Sequence, residues 1–116
     1  MNSTTALRIA AVFGFLAVAC GAFGAHGLKA TFEANGTGEI WKTAALYHAV
    51  HAVVLLVLAQ RSVVPRVSVL LFAAGIAIFS GSLYLLAITN VKWLGAITPL
   101  GGLALMGGWL SLWRKA

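Results

Sequence analysis

Two histidines three residues apart, His48 and His51, are the residues of this chain best placed to do chemistry. On a helix that spacing puts both imidazoles on one side, within reach of a single metal ion, and His26 could approach from an earlier segment. The candidate metal set is therefore His26, His48 and His51, and no Asp or Glu stands with it. Ser80 or Ser82 with His51 as base would make a nucleophile–base pair. Serine in a membrane helix more often bonds its own backbone or a neighbouring helix. Tyr84 and Thr98 add hydroxyls, while Trp41 precedes His48 by about two turns and Tyr47 lies one turn before His51.

The elements that must position these groups are apolar. Hydrophobic residues are 61% of the 116, charged residues only 9%, and mean hydropathy is +0.98. A soluble domain carries about 25% charged residues, so this chain lacks the polar surface to stay in water. Four runs, approximately Ala6–Gly27, Lys42–Gln60, Val67–Ile88 and Trp93–Trp113, match the ~20 residues that cross a ~30 Å hydrocarbon core. Short connections make neighbours antiparallel. The expected fold is an all-α four-helix transmembrane bundle, up-down-up-down, in one domain over residues 1–116.

The net charge of +6 is spread along the chain rather than gathered into a patch, which excludes nucleic acid as a partner. Arg8, Arg61, Arg66, Arg114 and Lys115 fall on one side of the predicted topology, and Lys29, Lys42 and Lys92 on the other with Glu33 and Glu39. The excess of basic residues marks the cytoplasmic side, so both termini are expected there. Trp41, Trp93, Trp109 and Trp113 lie near span ends, as an aromatic belt would have them. Ala17-Val18-Ala19-Cys20 imitates a signal cleavage or lipidation site, but the apolar run continues past it, and Cys20 is expected to stay unmodified within span one. Asn2-Ser3-Thr4 and Asn35-Gly36-Thr37 fit the glycosylation sequon, a triplet too common to carry weight.

Depth places the polar groups. His51 lies near midplane, and a charged side chain at that depth costs about 2.5 kcal/mol or more, so an ionisable residue there is a candidate site by default. The span-two wheel puts Ala44, Tyr47, His48 and His51 on one arc, opposite Leu46, Val50, Val53 and Val57. Ser80, Ser82, Tyr84, Thr98 and His26 fall toward the outer side, and the inner halves are nearly bare. A polar cavity in the outer half is expected, with His51 bonded to Tyr84, Ser80, Thr98, His26 or water.

Small residues supply the packing. Gly14, Gly21 and Gly24 in span one, Gly81 in span three, and Gly101 and Gly108 in span four recur at helical spacing, letting backbones approach closely where hydrophobicity cannot drive association. A homo-oligomer face is the alternative use of such stripes. Thr98-Pro99 predicts a kink in span four, preferred over a helix starting there with Thr98 as N-cap and Pro99 at N1, which at about 15 residues would be too short to span. Pro65 opens span three, and Leu28–Ile40 predicts a short surface helix ended by Asn35-Gly36.

The blocks Gly21-Ala22-Phe23-Gly24-Ala25-His26-Gly27-Leu28, Trp41 to Tyr47 with His51, Phe79-Ser80-Gly81-Ser82-Leu83-Tyr84, Thr98-Pro99-Leu100-Gly101-Gly102 and Gly108-Trp109 resemble those of the YgdD/YwdK-like family of small polytopic membrane proteins. The resemblance runs over essentially the whole chain. It implies a four-helix protein of the bacterial inner (plasma) membrane and brings no established activity, substrate or cofactor. The function expected from the residues is a structural or accessory membrane component, with the lipid bilayer and a homo-oligomer or membrane protein as partners. The alternatives are a small-solute or ion transporter or channel, a metal-binding membrane protein, and an intramembrane enzyme. A carboxylate-based proton relay is excluded, since no Asp or Glu lies in a predicted span.

Overall fold

The computed structural model describes residues 1–114; Lys115, counted above among the basic residues, lies outside them. The described residues form helices and no strand: α1 Ser3–His26, α2 Lys29–Asn35, α3 Gly38–Ala59, α4 Arg66–Thr89, a 3-10 turn Lys92–Ala96, and α5 Thr98–Trp113. Four helical stretches, Ser3–His26, Gly38–Ala59, Arg66–Thr89 and Lys92–Trp113, are long and apolar enough to cross a bilayer. All four overlap the predicted runs. The second starts four residues earlier because Gly38–Trp41 is already helical.

The ends of these helices follow from local chemistry. Asn2 caps α1, its Oδ1 accepting from the Thr5 N–H at 2.8 Å. Gly36, at φ 67°, ends α2 in the left-handed conformation that glycine adopts without a Cβ penalty. Pro65 stands just before α4, where its missing N–H leaves no helical bond unmade. Asn90, at φ 58°, closes α4, its N–H donating to the Leu86 carbonyl at 2.7 Å.

The last span differs from expectation. It is broken, not kinked: the 3-10 turn ends at Ala96 and a separate helix starts at Thr98 with Pro99 in its first turn. Proline fits that position because a first-turn N–H has no helical partner to lose. Alone, α5 is about 24 Å long, too short for the core; the preceding turn supplies the remainder. Backbone bonds cover the break, Ile97 N–H to Leu94 O at 3.1 Å and Leu100 N–H to Ile97 O at 3.0 Å. Lipid demands this, since no water is there to do it.

Helices pack in chain order, α1 on α3, α3 on α4 and α4 on α5, and among the described residues α1 and α5 do not meet. The Cα envelope, 47 × 26 × 17 Å, is correspondingly flattened. Contacts run in reversed order along each pair: Phe13 with His48 and Cys20 with Trp41, then Thr37 with Ala87 and Ala44 with Ser80, then Phe72 with Gly108 and Ser68 with Ser111. The main core, centred on Leu55, Val69, Phe72, Ile76 and Leu105, is built by α3, α4 and α5, with Ala6 and Ala10 closing it from α1.

Glycine sets the closest approaches. A Cβ at Gly101 would fall on the backbone of Phe79, one at Gly108 would come within 2.8 Å of the Phe72 ring, and one at Gly24 would run into the Trp41 indole. Gly75, which no sequence stripe singled out, serves the same purpose against Leu105, 2.6 Å from where its Cβ would be. Gly14, Gly21 and Gly81 are different. A Cβ there would meet nothing within 4 Å among the described residues, so no close approach requires glycine at these positions.

Candidate functional site

The histidines are held by α3 but face different neighbours. His48 and His51 are buried, at 4% and 6% exposure, although they sit at membrane depth on a helix that α1 and α4 only partly cover. His48 Nε2 lies 2.9 Å from the Phe13 carbonyl of α1, and its Nδ1 lies 2.8 Å from the Tyr84 hydroxyl of α4. A carbonyl only accepts, so Nε2 carries the proton and Tyr84 donates to the bare Nδ1. His51 is the reverse. Its Nδ1–H donates to the Tyr47 carbonyl one turn back at 2.7 Å, and its Nε2 accepts from the Trp109 indole N–H of α5 at 3.1 Å. Indole nitrogen donates only, so Nε2 of His51 must be unprotonated and that imidazole neutral.

These bonds correct two expectations. The partner of His51 is Trp109, not Tyr84, Ser80, Thr98 or His26; half of Trp109 stays exposed while its indole N–H turns to α3. Helical side chains lean toward the N-terminus, which carries this indole from near the end of α5 back toward the centre of α3. The metal set also fails as a unit. All four ring nitrogens of His48 and His51 have protein partners on different helices, and His26 lies exposed at the end of α1. Among the described residues no three His, Cys, Asp or Glu side chains come together as a metal site.

Aromatic rings fill in around the two imidazoles. Trp41 is buried rather than in an interfacial belt, its indole N–H donating to the Cys20 carbonyl at 3.1 Å and its ring lying 4.5 Å from Tyr84. His51 packs against Phe72 and Trp109, with ring centroids 5.7 and 6.0 Å away. Tyr47, placed on the interior arc by the wheel, is instead 42% exposed and covers Phe79 at 4.8 Å. The wheel took the arc's centre too far toward α5. A flattened packing buries a narrower face of α3 than a closed bundle would.

The serines and threonines act as ties. Ser80 donates across to the Ala44 carbonyl of α3 at 2.8 Å. Ser82 donates to Phe79 O at 3.0 Å, which leaves Thr98 to donate to the Ser82 oxygen at 2.6 Å. Among the described residues no serine hydroxyl hydrogen-bonds His51, so the nucleophile–base pair is not assembled there. At the inner end Ser111 donates to Gly108 O and Ser68 to Ser111, both at 2.6 Å, a pair that the expectation of a bare inner half passed over.

A further polar knot escaped the sequence reading. Asn35 Nδ2 donates to the Ala87 and Ile88 carbonyls at 3.2 Å, and buried Thr37 donates to Ala87 O at 2.7 Å. These are orphan carbonyls at the end of α4, capped by the α2–α3 junction. The available signal was Asn35-Gly36-Thr37, read as a helix stop and a chance sequon but not as a cap for another helix. Among the described residues, every buried side-chain nitrogen and oxygen has a hydrogen-bond partner.

The fold and these ties define a small multi-pass membrane protein whose intramembrane polar groups are spent on one another. Comparison gives the family. Residues 20–102 match the family described as Protein of unknown function (DUF423), and the chain belongs to it. It is 42% identical over 110 residues to UPF0382 membrane protein YwdK of Bacillus subtilis, covering 90% of this chain and 89% of that one. It is 40% identical to UPF0382 inner membrane protein YgdD of Escherichia coli, covering 94% and 86%, and 44% identical to a UPF0382 membrane protein of Staphylococcus epidermidis, covering 90% and 88%. No solved structure matches. The chain is thus a multi-pass protein of the bacterial inner (plasma) membrane.

Proposed function

We propose that this chain is a single-domain structural or accessory component of its membrane, in which His48 and His51 tie helices together and perform no chemistry. One observation carries the reading: each imidazole nitrogen of the pair already has a partner within the protein, and the pair's partners come from α1, α4 and α5 as well as α3. A neutral histidine that both donates and accepts can bridge two helices with no polar atom left over, which hydrocarbon surroundings require. The outer-half polar residues act in this reading as separate ties and do not line one chamber. The spans alternate up-down-up-down with both termini in the cytoplasm. The reversed contact order along successive helices and the excess of basic residues on the terminal side support that topology.

A small-solute or ion pathway is the second reading, favoured by the break between Ala96 and Thr98, since interrupted helices line binding sites in transporters. Reconstitution separates the two. Proteoliposomes are expected to pass protons, potassium and small polar solutes no faster than protein-free vesicles. A flux abolished by His51→Gln would overturn the structural reading.

A further inference from the structure

The least covered helix is α1. Of its 24 residues only Ala6, Ala10 and Gly24 are buried. On one face its seam with α3 is open along nearly its whole length. The outer stretch is a cleft of about 470 Å³ walled by Gly21, Gly24 and Trp41, with Lys29, Lys42 and Glu33 at its mouth. The next stretch inward, about 410 Å³, is lined by Gly14, Ala17, Ala49 and Ala52 with Leu7 and Leu56 at its far end. Positions 7, 11, 14, 18, 21 and 25 of α1 recur at three- and four-residue steps, as do 42, 45, 49, 52 and 56 of α3, so the two clefts are one groove down one face. From Ala25 to Leu7 it runs about 27 Å, nearly the thickness of the hydrocarbon core.

Two features say what covers it. Gly14 and Gly21 face open space in a groove walled by carbon, so what fills it is apolar and slender. The charged residues of the groove are confined to its outer stretch, which Lys29, Lys42 and Glu33 line. Lys42 also pairs with Glu39 at 3.4 Å, an exposed contact of small worth that a stronger anion can displace. A chain of carbon ending in a phosphodiester matches both features. Lys29 and Lys42 would take the phosphate, and Glu33 would take a primary ammonium beside it.

We propose that the α1–α3 groove holds one phospholipid with a phosphate–ammonium headgroup, its phosphate at Lys29 and Lys42, its ammonium at Glu33 and an acyl chain along Gly21 and Gly14. This goes beyond the structural reading of the histidines and stands or falls separately from it, since no residue of the groove touches His48 or His51 through a hydrogen bond.

Native mass spectrometry of the full chain released from nanodiscs of equal phosphatidylethanolamine and phosphatidylglycerol tests the site. The wild type is expected to keep one phosphatidylethanolamine in preference to phosphatidylglycerol. Lys29→Gln with Lys42→Gln should lower retention of either lipid, about five-fold for each lysine at the membrane surface. Glu33→Gln should abolish the preference while keeping retention. Gly21→Leu, whose Cβ would meet nothing within 4 Å, places its side chain in the groove and should empty it of lipid while keeping the helical circular dichroism of wild type. Equal retention by wild type and the double lysine variant would overturn the proposal. So would a dimer that Gly21→Leu dissociates, because a second copy would then be what covers the groove.

Discussion

At the scale of single residues, two imidazoles on one helix solve opposite problems with opposite tautomers. His48 presents an N–H to a carbonyl of α1 and a bare nitrogen to Tyr84; His51 presents an N–H to its own helix and a bare nitrogen to Trp109. Interhelical hydrogen bonds in membranes average about 0.6 kcal/mol and reach about 1.7. His51→Leu should therefore destabilise by roughly 1 kcal/mol, and Trp109→Phe by a similar amount. The two losses should not add: a double-mutant cycle in mild denaturing detergent should show a coupling of about 0.5 kcal/mol or more. Strict additivity would mean the pair is not bonded. That a histidine at position 51 needed an interior partner was legible from its depth; that the partner was Trp109 was not. No spacing links residues 51 and 109, and a tryptophan near a span end looks the same whether its indole faces headgroups or bends inward.

Among the elements, close approach depends on which glycines meet another helix. Gly101 sits against the backbone of Phe79, whereas Gly14 faces open space. Gly101→Leu should force α5 away from α4 and cost several kcal/mol, in the upper range for overpacking, since backbone cannot swing aside as a side chain can. Gly14→Leu should leave the melting temperature of the monomer within a degree or two of wild type or raise it slightly, because a mid-helix glycine costs about 1 kcal/mol relative to better helix formers. Thermal melts of both variants check this. Length and apolarity made all four spans readable, and Pro65 and Asn35-Gly36 marked helix ends correctly. The small-residue stripes did not separate packing glycines from groove glycines, because the periodicity of a face says nothing of whether another helix lies on it. The break in the last span was misjudged for a related reason: a 16-residue α5 is too short alone, and a 3-10 turn that lends it length has no sequence signature of its own.

For the whole molecule, an open row of helices leaves α1 and α5 each with one covered side, in contrast to a closed bundle with a central chamber. Single cysteines at Ala34 and Val63, in a background lacking Cys20, should react with impermeant thiol reagents from opposite sides of the membrane, position 63 from the cytoplasm. Labelling of both from one side would contradict the alternating topology. Membrane class and the four apolar spans were legible because lipid imposes them on composition. The division of the polar residues into separate ties was not, since it depends on which helices touch.

Nitrogen-15 spectroscopy of histidine-labelled protein in lipid nanodiscs, with His26→Gln to remove the exposed third signal, tests the central claim most directly. The account predicts two neutral imidazoles of opposite tautomer near neutral pH, protonated on Nε2 at His48 and on Nδ1 at His51, with neither signal moved by added zinc. Two identical tautomers, an imidazolium at His51, or zinc-induced shifts in both rings would contradict it.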